Sequence, residues 1–179
     1  MSEQRQETRA EEVARVRSYL ASQSMRRTTE QIVEALREAH LQFLAATALV
    51  SDADFRTTPE EGEWSAADVL SHVHAIAAFD ERSIRAVIER GEQPEDVNDK
   101  IEAAPPEATR EQMLAAIELL REQLIASVLQ ADPQAHLDIV WSHSEFGKMN
   151  WREWLLFARV HTLDHARQIQ SVADALSHR

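Results

Sequence analysis

A chain of 179 residues suffices for one domain with its own hydrophobic core and is short for two. Its formal net charge of -12 argues against nucleic-acid binding, which needs a basic surface to meet phosphate. The absence of cysteine excludes disulfides, thiolate metal ligands and a cysteine nucleophile, and with a polar N-terminus and no run of roughly 18 apolar residues it predicts a cytoplasmic chain with no membrane partner.

Residues 1–27 stand apart as an N-terminal helical extension. Val13, Val16 and Leu20 put a weak apolar stripe on a highly charged helix over about 8–22, packed on the rest of the chain or on a partner, or partly frayed. The seven arginines from Arg5 to Arg37 alternate with acidic residues, so they read as a solvated face. Beyond them, Gly62, Gly91, Gly147 and the prolines Pro59, Pro94, Pro105, Pro106 and Pro133 all fall between segments rich in helix formers. Four long helices follow, at 28–50, 65–90, 109–131 and 150–177. Each opens on a capping box or a close variant: Thr28 with Gln31, Ser65 with Asp68, Thr109 with Gln112, Asn150 with Glu153. Gly91 sits where a left-handed C-cap belongs.

The helix at 28–50 carries Ile32, Leu36, Ala39, Phe43, Ala46 and Val50 on one face, and that at 109–131 carries Met113, Ile117, Leu120, Leu124 and Val128. The expected fold is therefore all-α, a four-helix bundle over 28–179. The link 91–108 is long and acidic. About 17 extended residues at roughly 3.3 Å each can run back along a helix of about 39 Å. That allows a parallel pair joined by a crossover, and spacing alone equally allows a looping connection. No alternating pattern is long enough for a sheet, and Leu137 to Trp141 reads as a loop or a helical turn.

The last helix holds His161 and His165, whose Cβ atoms at i, i+4 spacing lie about 5–6 Å apart on one face. At about 100° per residue they share a sector with Trp154, Ala158, Ile169, Val172 and Leu176. Two polar rings thus interrupt an apolar stripe, a costly arrangement unless each finds a partner, and a shared divalent metal ion is one. A third ligand has to come from another helix. His72 and His74 point about 200° apart, each on a flank of the stripe formed by Val69, Val73, Ile76, Asp80, Ile84 and Val87. Periodicity leaves that choice open.

Two blocks bring in a resemblance. One is Trp64-Ser65 running through Ala66-Ala67-Asp68-Val69-Leu70-Ser71 to His72; the other is Phe146-Gly147-Lys148-Met149-Asn150-Trp151-Arg152-Glu153-Trp154, continuing to His161-Thr162-Leu163-Asp164-His165-Ala166-Arg167-Gln168-Ile169. In order and spacing they resemble the DinB/YfiT-like family of metalloenzymes over residues 28–177, with 1–27 outside the family core. The resemblance implies His72 and not His74 as the third ligand. It also implies up-down-down-up order with a long crossover between the second and third bundle helices. Family members include thiol-dependent S-transferases and isomerases that use bacillithiol or mycothiol.

The resulting expectation is a cytoplasmic metal-binding protein with His72, His161 and His165 as ligands of Zn²⁺, Ni²⁺ or another imidazole-tolerant divalent ion. Three neutral imidazoles leave coordination positions open, as in catalytic sites. The expected activity is a metal-dependent hydrolase or thiol S-transferase on a small-molecule substrate, with a low-molecular-weight thiol as cosubstrate in the second case and a stress or detoxification role. A non-catalytic bundle, serving interaction or metal sensing with a structural ion, is the competing reading. Gln168, Asp164, Asp80, His40 and Trp154 are the candidates around the ligands. Gln168 is one turn beyond His165, and Asp164 lies on a flank. Asp80 is about 12 Å by helical rise from His72 and so does not share the ion. His40 could face a cavity or be a satisfied core histidine, and Trp154 lines the site. Trp64, Trp141 and Trp151 are core or pocket wall. His136, His143 and His178 are expected to be solvated. The amphipathic extension leaves room for a homodimer.

Overall fold

The computed structural model describes residues 8–97, 105 and 107–177. In chain order they form α1 (Arg9–Arg26), α2 (Thr29–Thr47), α3 (Ala66–Arg90), α4 (Arg110–Gln130), a hairpin of β1 (Trp141–His143) and β2 (Gly147–Met149), and α5 (Trp151–Ser177). Every expected capping box is present: the Thr28, Ser65 and Thr109 hydroxyls accept from the amides of Gln31, Asp68 and Gln112, whose side chains return the bond. At the start of α5 the Asn150 amide donates to Glu153 at 3.0 Å and the Glu153 amide donates to the Asn150 side chain at 3.1 Å. A further box, Thr8 with Glu11, starts α1. Gly91 ends α3 at φ 63, the left-handed conformation that its lack of Cβ permits.

Cross-helix bonds fix the directions. Thr29, at the start of α2, accepts from Arg152, at the start of α5, so these two run parallel. Ser127, near the end of α4, donates to Glu89, near the end of α3, so that pair is parallel as well. Ala66 and Val69 at the start of α3 share a buried cluster with Ile169 and Ala173 late in α5, so α3 opposes α5. The order is up-down-down-up, and α4 is reached from α3 by a crossover. The middle of that link lies outside the described residues, as does His178.

Two apolar clusters fill the bundle. One gathers Leu20, Leu36, Ile84, Leu124, Trp154 and Leu155; the other gathers Phe43, Phe55, Leu70, Ile117 and Ile169. Along α5 the step between them falls between Ala158 and Ala166, and polar residues can occupy it without breaking either cluster.

Three local features differ from the sequence reading. First, α1 runs to Arg26, beyond the expected 22, and of the alternatives left open it takes the packed one, with Leu20 fully buried in the bundle core. Its junction with α2 is held by the buried Arg152 guanidinium, which donates to the Ser24 and Arg27 carbonyls and to the Thr29 hydroxyl. Second, α2 ends at Thr47, and Val50 is buried from the turn that follows. Third, the segment before α5 pairs Trp141 with Met149 and His143 with Gly147 in a small antiparallel hairpin. Strands of three residues are too short to show the alternation that marks a sheet in a sequence.

Candidate metal centre

Ser65 caps α3 so that its first two turns carry His72 toward α5, where His161 and His165 stand one turn apart. The three rings converge. His72 Nε2 is 2.9 Å from His161 Nε2, and His165 Nε2 is 3.0 Å from the same atom. Among the described residues this is the one group of three potential ligands whose donor atoms all lie within 4.8 Å of one another. His74, the alternative that periodicity could not discard, faces a separate surface groove beside Ser71 and Gln112.

Electrostatics favour neutral rings at His161 and His165. Burial, then the neighbouring His165 and His72, push the His161 imidazole well below its ordinary value. Burial also lowers His165, against its hydrogen bond to Gln168 and the nearby Asp164 carboxylate, which act the other way. A neutral imidazole offers one lone pair, and the His165 lone pair can be placed. His165 Nδ1 lies 2.8 Å from Gln168 Oε1; a carbonyl oxygen only accepts, so Nδ1 carries the proton and Nε2 is left bare toward the other two rings. Trp64 stacks on His165 at 6.2 Å and 7°, and tilts against His72 at 5.2 Å, so the indole holds two of the three rings.

The donor set suits a divalent ion. Bonds of about 2.0–2.1 Å to a tetrahedral Zn²⁺ put imidazole nitrogens roughly 3.3 Å apart, a few tenths of an ångström beyond the separations here. Three nitrogens on one side also leave the opposite side open. That side faces a cavity of about 410 Å³, whose walls include His72, His161, His165, Ile76, Trp154 and Phe157.

The other candidates separate into three groups. Gln168 holds His165, and Trp154 lines the cavity, as their helix positions predict. Asp164 lies at the cavity rim, 66% exposed, 3.4 Å from Arg167 and not hydrogen-bonded to a ligand ring. Asp80 and His40 are not on the cavity wall. They belong to a polar pocket of the bundle core with Arg121, which donates to Thr162 Oγ1 at 2.6 Å. There burial pushes the Asp80 carboxyl up to about 7, partly countered by the Arg121 charge, and pushes His40 down to about 4. Asp80 Oδ1, Arg121 Nε and both His40 ring nitrogens are buried without a hydrogen-bond partner.

One expectation is corrected. His143 is not solvated: it is half-buried at the cavity, with ring centroids 4.9 Å from Phe146, 4.9 Å from Phe157 and 5.9 Å from Trp154. The amides of Glu145 and Phe146 point at its Nδ1, at 3.1 and 3.4 Å. The hairpin turns the ring inward, and nothing short of the hairpin itself could have shown this. His136, as expected, is exposed. Residues Arg9, Glu12, Arg15 and Val16 of α1 also line the cavity, which the sequence reading did not anticipate.

Comparison with known proteins places this geometry in context. A family model described as the DinB superfamily matches residues 25–169. Among solved structures, a four-helix bundle protein called TT2238 is similar at a TM-score of 0.63 and 23% identity, over 80% of this chain and 99% of its own. YfiT from Bacillus subtilis, described as a probable metal-dependent hydrolase with an unusual four-helix bundle topology, is similar at a TM-score of 0.69 and 14% identity, over 83% of this chain and 87% of its own. Both likenesses concern the fold. A search of curated protein sequences finds no match.

Proposed function

Because the chain belongs to the DinB superfamily, we propose that it is a divalent-metal-dependent enzyme acting on small molecules, with His72, His161 and His165 as the metal ligands. The observation that carries this reading is the convergence of three imidazole Nε2 atoms on one point at the floor of a cavity. A structural ion needs its coordination closed by the protein, and here the described residues supply three donors and an opening. When bound, the ion would supply Lewis acidity, lowering the pKa of a water or a small-molecule thiol at its open position. The chain's own part is to hold His165 and His72 in place through Gln168 and Trp64, to keep His161 and His165 neutral by burial, and to wall the reaction off from bulk water.

The description of YfiT favours hydrolysis. The thiol-transfer chemistry that the two sequence blocks imply, and with it a detoxification role, is the other use of the same open position. Both are read in one experiment. Metal content per chain is measured for the wild type and for His72→Ala, His161→Ala and His165→Ala, and the loaded proteins are assayed on ester, amide and electrophile panels with and without added low-molecular-weight thiol. The expected result is about one ion per wild-type chain, a loss in each variant, and turnover that disappears with the ion. Unchanged stoichiometry in all three variants removes the site. Metal loss that lowers only thermal stability, with no turnover in the wild type, leaves a bundle with a structural ion.

A further inference from the structure

The cavity above the three histidines has a wall that the family model does not include. That model begins at residue 25, and α1, at Arg9–Arg26, lies almost wholly before it. Yet α1 contributes Arg9, Glu12, Arg15 and Val16 to the cavity, facing the hairpin residues His143 to Phe146. The two pieces are tied together. The Arg9 guanidinium pairs with Glu145, and Arg17 donates to the Lys148 carbonyl at 2.9 Å. Tyr19 accepts from Arg159 on α5 at 3.1 Å, and Leu20 anchors the helix in the core.

The chemistry of that wall is specific. Charges at the mouth balance in sign, Arg9, Arg15 and Arg167 against Glu12, Glu145 and Asp164, and Arg9 and Arg167 are paired directly with these carboxylates. Below them the lining turns apolar: Val16 from α1, Ile76 from α3, Val97, Phe146 from the hairpin, Phe157 and Val160 from α5. His143, Phe146, Trp154 and Phe157 form a continuous ring-on-ring cluster, with centroids 4.9–5.9 Å apart, and Phe157 carries it to His161 at 5.9 Å. A volume of about 410 Å³ accepts a small molecule and excludes a polymer. A matched rim provides little discrimination by charge, so selection falls to the apolar wall.

Resting on the metal-enzyme reading, we infer that α1 and the hairpin form the specificity-determining wall of the metal pocket, and that they select a substrate with a flat, apolar body whose polar head reaches the three histidines. Val16 and Phe146 face that body from opposite pieces of the wall. The roles of the two halves then separate: the ion that the histidines would hold takes any small chelating head, and the wall grades what is attached to it.

The test uses the full chain loaded with Co²⁺ and follows the visible absorption of the ion during titration with acetohydroxamate or benzohydroxamate. The two probes share a head and differ by methyl against phenyl. Benzohydroxamate is expected to bind at least about tenfold more tightly, from the extra apolar surface removed from water. Phe146→Ala, which opens the wall, and Val16→Trp, which fills the space beside it, should each shrink that ratio severalfold, with acetohydroxamate moving much less. Far-UV circular dichroism checks the fold of each variant, and either variant alone suffices. Equal binding of the two probes, or a ratio that survives the substitutions, overturns the inference and leaves the metal site standing. A Co²⁺ spectrum that responds to neither probe overturns the open-position reading and this inference with it.

Discussion

At the scale of single residues, the site depends on side chains that hold other side chains. Gln168 does not reach the common point of the three rings, but it decides which nitrogen of His165 is bare. Removing that acceptor frees the ring to rotate and to take the other tautomer. Gln168→Ala is therefore expected to weaken metal binding by about 10–100-fold, read by competition with a chromophoric chelator. His74→Ala, on a different face of α3, should leave the affinity where it is. A second prediction concerns Asp80. Its folded-state value, about 7, lies above the ordinary carboxyl value, so the folded chain holds a proton that the unfolded chain releases between about pH 4 and pH 7. Stability from this group is present at low pH and is lost as pH rises through that window. His40, lowered to about 4 by burial, works in the opposite sense over part of the same range. The contribution of Asp80 is isolated by comparing urea unfolding of the wild type and Asp80→Asn at several pH values. The difference should move against the wild type from pH 4 to pH 7, by an amount on the order of a few kcal/mol; a pH-independent difference would show that Asp80 keeps its charge in the fold.

Residue by residue, legibility followed periodicity. His161 and His165 were visible because a polar pair interrupts an apolar stripe. His72 and His74 were indistinguishable from the stripe alone, since both sit on its flanks, and the choice came from the Trp64–His72 block that resembles the family. His143 and Phe146 were hidden because they act from a turn, where no helical period applies, and because what aims His143 is a pair of backbone amides.

At the scale of elements, helix boundaries were legible from short-range chemistry and docking was not. Capping boxes mark the helix starts with side chain–backbone bonds that span only three residues, and Gly91 marks the end of α3 by its left-handed backbone, so the sequence contains the whole interaction. The placement of α1 depends instead on partners more than a hundred residues away, such as Arg159 and Lys148. Its weak apolar stripe understates its burial, because one residue, Leu20, supplies most of the anchoring. Leu20→Ala leaves a cavity between α1, α2 and α5 and is expected to cost about 2–5 kcal/mol, measured by denaturant unfolding. If α1 were loosely attached, the cost would fall below about 1 kcal/mol, as for an exposed apolar residue. The same variant should raise the amide exchange of α1 before that of α5, since α5 keeps its contacts with α2 and α3.

At the scale of the whole molecule, the fold and the site rest on separate supports. Neither the apolar clusters on either side of the histidines nor the capping boxes use the three ligand side chains, so the bundle is expected to form without metal. Metal binding is nevertheless expected to add to stability by mass action, because unfolding separates His72 from His161 and His165 along the chain. At free metal a thousandfold above Kd the gain is about 4 kcal/mol. Chelation of the wild type should therefore lower Tm by several degrees while far-UV circular dichroism at room temperature stays helical, and His161→Ala should show the lower Tm with or without chelator. The gain is also pH-dependent in a definite direction. Protons compete with the ion for the same nitrogens, and burial holds the His161 and His165 rings below their ordinary value. The metal-dependent part of Tm should therefore persist as pH falls through 6.5 and disappear only below it. Its disappearance near pH 6.5, or at higher pH, would mean that the rings titrate as exposed histidines do, and would place them outside the buried step between the two clusters.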